Sequence, residues 1–121
     1  MAQKQPIRIE ATTKASGGTY DYVKSKPVPE GEIWCLQGIA YENETGARGT
    51  FRRGVTRGET YEWYGEHTTP ALGELVFTDK VMYLSPRERL VIRQATCTAN
   101  DILKLYAHGY RVQSKYIPDG G

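Results

Sequence analysis

From Glu32 onward, apolar and polar residues alternate with a period of two in short runs separated by turn-forming residues, the pattern of half-buried strands. The run EIWCLQGIAYE predicts a central strand, with Ile33, Cys35, Ile39 and Tyr41 on one face and Trp34, Leu36 and Ala40 on the other. NETGA supplies turn chemistry. GTFRRGVT follows as a second strand with Phe51 and Val55 on one face, and Gly54 in its middle marks a bulge or a close backbone approach. RGE turns the chain into TYEWYG, with Tyr61 and Trp63 on the expected inward face and Thr60, Glu62 and Tyr64 opposite. EHTTPALG reads as a loop, and ELVFT, KVMYL and ERLVIRQATC as three more strands. Turn signals spaced by roughly 8–12 residues are those of an all-β sandwich or barrel.

The last element, TANDILKLYAHGYRV, has two readings. A helix capped by Asn100 would end just before Gly109. Alternatively, TAND is a turn and ILKLYAHGYRV a long final strand. The strand is favoured, because every other element is β and a short helix would have to bury Ile102, Leu103, Leu105 and Tyr106 at once.

The first thirty residues differ. Gly17-Gly18, Pro6, Pro27 and Pro29 interrupt scattered apolar positions, with Ile7 and Ile9 alternating with Arg8 and Glu10, and Tyr20 and Tyr22 with Asp21. Such a segment buries little surface by itself and is expected to run extended along a neighbouring subunit. The expected fold is therefore all-β: an antiparallel β-sandwich, jelly-roll or Ig-like, with an extended N-terminal arm. Residues 1–29 form the arm, 30–117 the sandwich and 118–121 a C-terminal tail.

Length and composition fit one domain: 121 residues, 39% hydrophobic and 25% charged. The opening MAQKQPIRIE has no apolar core of a secretory signal, and no run approaches the roughly 18 apolar residues of a membrane span. Synthesis in a reducing cytoplasm is expected, with no membrane partner. Cys35 and Cys97 lie in the apolar stretches IWCL and ATCT; two buried thiols are the expected state, with a cross-strand disulfide as the alternative.

Candidate chemistry is sparse. No H-x-x-x-H, C-x-x-C, calcium loop, nucleophile elbow or phosphate-cradling glycine loop occurs, and His67 and His108 stand apart from both cysteines in sequence. No catalytic residue, metal ligand or cofactor is expected. The arginine–glycine run GARGTFRRGVTRG carries Arg48, Arg52, Arg53 and Arg57, but a net charge of +2 and the following Glu59, Glu62 and Glu66 disfavour nucleic acid. Arg52 points away from the Phe51 face, and Arg53 falls on the Phe51 side unless Gly54 bulges the strand. The run reads as a hairpin whose polar rim docks onto protein, since arginine pairs carboxylates bidentately. Ile7, Arg8, Ile9, Tyr20, Tyr22, Arg48, Arg52, Arg53 and Arg57 are the expected interface residues. Aromatic faces also raise a glycan-binding reading, with Trp34 and Trp63 expected in the core and Tyr64, His67 and Tyr110 exposed.

PEGEIWCLQGIAYENETG, followed by LSPRERLVIRQATCTANDILKLYAHGYRV, resembles small structural proteins of tailed bacteriophage particles. The likeness rests on a strand opening P-x-G-E-x-W-x-L and on a late strand, a T-A-x-D turn, L-x-L and Gly-Tyr, across Pro29 to Val112. The run from Arg48 to Gly58 lies outside that pattern. The resemblance implies a non-enzymatic β-sandwich subunit of the virion, such as a capsid decoration (cement) protein or an accessory head, neck or tail protein. Its partner would be the major capsid protein or another virion protein, and the subunit would form a homo-oligomer such as a trimer. The alternative is a host-surface or glycan-binding module displayed on the same particle.

Overall fold

A computed structural model describes residues 4–44, 50–68, 76–95 and 97–113. Two antiparallel sheets pack face to face. One contains β1 (Lys4–Lys14), β9 (Ile102–Gln113) and β3 (Glu32–Asn43) in that order, with β6 (Val76–Thr78) and β7 (Met82–Leu84) both along the far edge of β3. The other has the order β2 (Tyr20–Lys24), β8 (Arg89–Ala95), β4 (Thr50–Arg57), β5 (Thr60–Thr68).

The pairing is nested. First pairs with last (β1 with β9), β2 with β8, β3 with β6 and β7, and β4 with β5. One long antiparallel ribbon, with the β4–β5 hairpin at its tip, is thus folded over itself, which is the jelly-roll arrangement. Of the two sandwich types expected, the jelly roll is the one formed. The final segment is a strand, β9, as the all-β environment favours.

Residues 4–28 do run extended, but along strands of their own sandwich. β1 pairs with β9 from Lys4↔Val112 to Lys14↔Ile102, and β2 pairs with β8. Ile9, Ala15, Val23 and Val28 are all buried in the core. The boundary expected at residue 29 therefore does not separate an arm from a body. The apolar content of the segment is low because both strands lie at sheet edges and bury only one face. Met1–Gln3 and the expected tail at 118–121 lie outside the described residues.

The core is built from Leu36, Leu84, Leu90, Ile92, Leu103 and Leu105, all essentially inaccessible, with the Tyr41 and Phe51 rings 4.7 Å apart. The alternation expected along β3 fails at one point. The register against β9 shifts between Leu36 and Gly38, leaving Gln37 as an extra, exposed residue. Trp34 and Leu36 before the bulge, and Ile39 and Tyr41 after it, therefore all enter the core, whereas Cys35 and Ala40 lie on the outer face. Cys97 joins the core cluster, so the two thiols lie on opposite faces of this sheet, and both are free.

The turn before β9 is capped by the buried Asp101, and the turn after β1 by the buried Asp21. Asp101 accepts from the Thr98 N–H at 2.9 Å and from Asn43 Nδ2 at 3.1 Å, while Asn100 takes a left-handed φ of 73°. Asp21 accepts from Ser16 N–H at 2.7 Å and Ser16 Oγ at 2.9 Å. T-A-N-D is thus a structural turn. Burial, with Asp21 and Asp101 nearby, pushes the Cys97 thiol up to about 12.

Candidate binding surfaces

β5 carries the second irregularity. Its register against β4 shifts so that Arg53 faces Gly65 and Gly54 faces Trp63, with Tyr64 the extra residue. Gly54 is needed for close approach: a Cβ there would lie 2.0 Å from the Glu62 carbonyl oxygen and 2.8 Å from Trp63 Cε3. The Trp63 ring consequently lies over the outer face of the sheet. The core position expected for Trp63 and Tyr61 is not what forms, because both stand opposite outward-facing residues of β4. Val91, the neighbour of Gly54 on β8, is fully buried although it too faces outward, covered by this aromatic layer.

The layer is a connected mat. Tyr61 and Trp63 stack with centroids 5.5 Å apart at 15°, and Tyr22 contacts Tyr61 at 5.5 Å. Arg93 lies 4.0 Å from the Tyr20 centroid and 4.9 Å from Trp63, and Lys24 lies 5.3 Å from Tyr61. Each cation rests on ring faces whose electron density attracts it, which holds both partners in place. The expected interface residues Tyr20 and Tyr22 both belong here, and both are exposed. Arg52 is Arg93's neighbour across β4–β8, and its Nε donates to Glu66 at 2.9 Å.

The other expected interface residues scatter. Ile9 is buried and Ile7 half-buried against the core, whereas Arg8 projects outward from β1 and Arg57 is exposed at the end of β4. Arg48 lies outside the described residues. Arg53 is not on the rim at all: it follows the Phe51 face inward and is only 2% exposed. The β4 strand alternates without interruption there, since the extra residue belongs to β5.

Arg53 is the feature that sequence reasoning did not single out as a pocket residue. Its Nε and Nη1 have no acceptor among the described residues. It lines a pocket of about 360 Å³ together with Tyr64, Lys80, Val81, Met82 and Tyr83, on the open side of the sandwich between β5 and the short strand β7. The rings of Tyr64 and Tyr83 are exposed there. The available signal was an arginine on an inward-facing position of an apolar strand.

The first sheet's outer face holds a broader groove of about 820 Å³ along β1, β9 and β3. Its cross-strand rows are Arg8–His108–Gly38 and Glu10–Tyr106–Ala40. The His108 imidazole lies over Gly38, where a Cβ would come 2.2 Å from Nε2. The Tyr106 hydroxyl donates to Glu42 at 3.2 Å, and Lys104 pairs with Glu44 at 2.7 Å. Among the described residues, no group of three or more His, Cys, Asp and Glu side chains is placed to hold a metal ion.

No family model and no curated protein matches the chain. Among solved structures, one described as "CBM4 structure and function" has a TM-score of 0.37 and 11% identity, covering 86% of this chain and 70% of that one. A likeness of that size says nothing about function.

Proposed function

We propose that this chain is a non-enzymatic structural protein of a bacteriophage particle, a decoration or accessory head protein that binds the major capsid protein of the shell. The observation that carries the reading is the mat on the β2–β8–β4–β5 face: Tyr20, Tyr22, Tyr61 and Trp63 locked together by Arg93 and Lys24. Tryptophan, tyrosine and arginine dominate the energetics of protein–protein contacts, and rings already held in place lose little entropy on docking. Many copies on a symmetric shell turn modest single contacts into firm attachment. The motifs resembling phage structural proteins support the same reading. P-x-G-E-x-W-x-L opens β3, T-A-N-D leads from β8 into β9, and β3 and β9 are neighbours in one sheet.

The test is copy number on purified particles. Native protein is expected in many copies, and Tyr20→Ala/Tyr22→Ala, which changes only exposed rings, is expected to lower occupancy at least tenfold without unfolding. Absence of the polypeptide from mature particles, or undiminished occupancy of the double variant, refutes the reading.

A second reading, a glycan-binding module displayed on the particle, is favoured by the exposed rings of Tyr64 and Tyr83 at the open-side pocket. Glycan-array binding lost on Tyr64→Ala supports it, whereas an array without specific binding removes it.

A further inference from the structure

Arg53 poses a physical problem that the described residues do not solve among themselves. Its side chain is carried into the sandwich between Phe51 and Val55, opposite Ile92 of β8. Burial lowers its pKa, yet a guanidinium keeps its charge in proteins. Two of its three guanidinium nitrogens, Nε and Nη1, are left without acceptors among the described residues. An unpaired buried charge is strongly unfavourable, and an apolar side chain of similar volume would remove that cost. The arginine is therefore suited to a counter-charge arriving from outside.

Arg53 lines the open-side pocket, but its Nε and Nη1 are themselves sealed from solvent, so a ligand must displace part of the pocket wall to reach them. Among the described residues the pocket is lined by two cations, Arg53 and Lys80, and by no carboxylate, the nearest acid being Glu62, which accepts from the Tyr64 hydroxyl at 2.7 Å. A fork of guanidinium donors matches the two oxygens of a carboxylate. Exposed at the same pocket stand Tyr64 and Tyr83, which are 55% and 66% accessible, large values for tyrosines with no described role in the core. At about 360 Å³, the cavity exceeds what an acidic side chain needs and suits a ring-sized body.

We propose that this pocket binds a carboxylate-bearing sugar, with the carboxylate directed to Arg53 and Lys80 and the ring against Tyr64 and Tyr83. The proposal rests on the glycan-binding reading and narrows it to acidic sugars. Neutral sugars present the same apolar ring faces to the tyrosines but leave Arg53 uncompensated. An acidic peptide would satisfy the arginine while leaving the aromatic walls unused.

The experiment titrates the full chain with methyl glucuronide, methyl glucoside, acetate and a glutamate-containing peptide, followed by amide NMR shifts and calorimetry. Glucuronide is expected to shift Lys80–Tyr83 and to bind at least tenfold more tightly than glucoside or acetate, with affinity falling as salt rises. Arg53→Met is expected to lose glucuronide binding while melting at the same or a higher temperature than the native protein. Should Arg53→Met fail to fold, Lys80→Met and Tyr83→Ala, both at exposed positions, carry the test, each expected to weaken binding several-fold. Equal binding of glucuronide and glucoside, or full binding by these variants, overturns the proposal. Tighter binding of the peptide than of glucuronide also overturns it and assigns the pocket to a protein partner. Array binding confined to neutral sugars keeps the glycan reading and removes this inference alone.

Discussion

Gly109 lies where β9 passes the bulge of β3, and a Cβ built on it falls 1.9 Å from the Cys35 carbonyl oxygen and 2.9 Å from Leu36 Cα. To reach even the 3.0 Å limit that real Cβ contacts respect, the oxygen must retreat from 1.9 Å, a movement of about 1.1 Å. The obstacle is main chain on a central strand, so no side chain can swing aside. β9 is itself held on its other side by β1, so the shift strains two ladders. Forced overpacking costs about 1–3 kcal/mol, and a weakened ladder hydrogen bond adds about 1 kcal/mol. Relief of glycine's unfolded-state entropy returns about 0.5–1 kcal/mol. Gly109→Ala is thus expected to destabilise by about 1–3.5 kcal/mol. Urea denaturation followed by tryptophan fluorescence measures it, with Gly18→Ala, whose Cβ meets only Ser16 Oγ at 3.4 Å, as the control. A Gly109→Ala variant within about 0.5 kcal/mol of the native protein, the range of neutral surface changes, refutes the close-approach account.

The remaining expectations concern polar groups. Because the folded Cys97 thiol titrates near 12 instead of 9, the unfolded chain binds fewer protons between those values. Stability should therefore fall as pH rises from about 9 to 12 and be unaffected by this group below 9; Cys97→Ala should flatten the slope in urea melts at pH 8 to 11, and an unchanged slope contradicts the assignment. Asp101→Ala removes the acceptor of the Thr98 N–H and one acceptor of Asn43 Nδ2, and should cost about 2 kcal/mol by denaturation, with a loss under about 1 kcal/mol counting against a capping role. Arg52→Ala breaks an ion pair whose side chains are 42% and 56% exposed, so the loss should stay below about 1 kcal/mol, and a larger one would show that the pair is more than a screened surface contact.

The chain's β character was legible because it is local: alternation and turn residues reported every strand from Glu32 onward, including the last. What was not legible depends on distance. β1 pairs Ala11 with Leu105 and Lys14 with Ile102, contacts between the two ends of the sequence that no window of neighbouring residues contains. A stretch with few apolar residues looks like an arm until the strand it lies against is known. The inward position of Arg53 followed from strict alternation, but its missing acceptors and the pocket beside it emerged only with the two sheets in place.

The failures of alternation lie close to where the candidate function is. The extra residue in β3 lets Leu36 and Ile39, three apart, both enter the core, at the cost of a glycine on β9. The extra residue in β5 lets Trp63 and Glu66, also three apart, both stand opposite outward residues of β4. Trp63 thereby joins the aromatic mat and Glu66 reaches Arg52, while Tyr64 is left beside the pocket that contains Arg53. One inserted residue thus contributes to both proposed surfaces: the mat suited to a protein shell and the pocket suited to an acidic sugar. A regular β5 would place Gly65 on the same face as Trp63 and move Glu66 to the opposite face, breaking its outward pairing with Arg52. The bulge is therefore better understood as a positioning device than as a flaw in the strand.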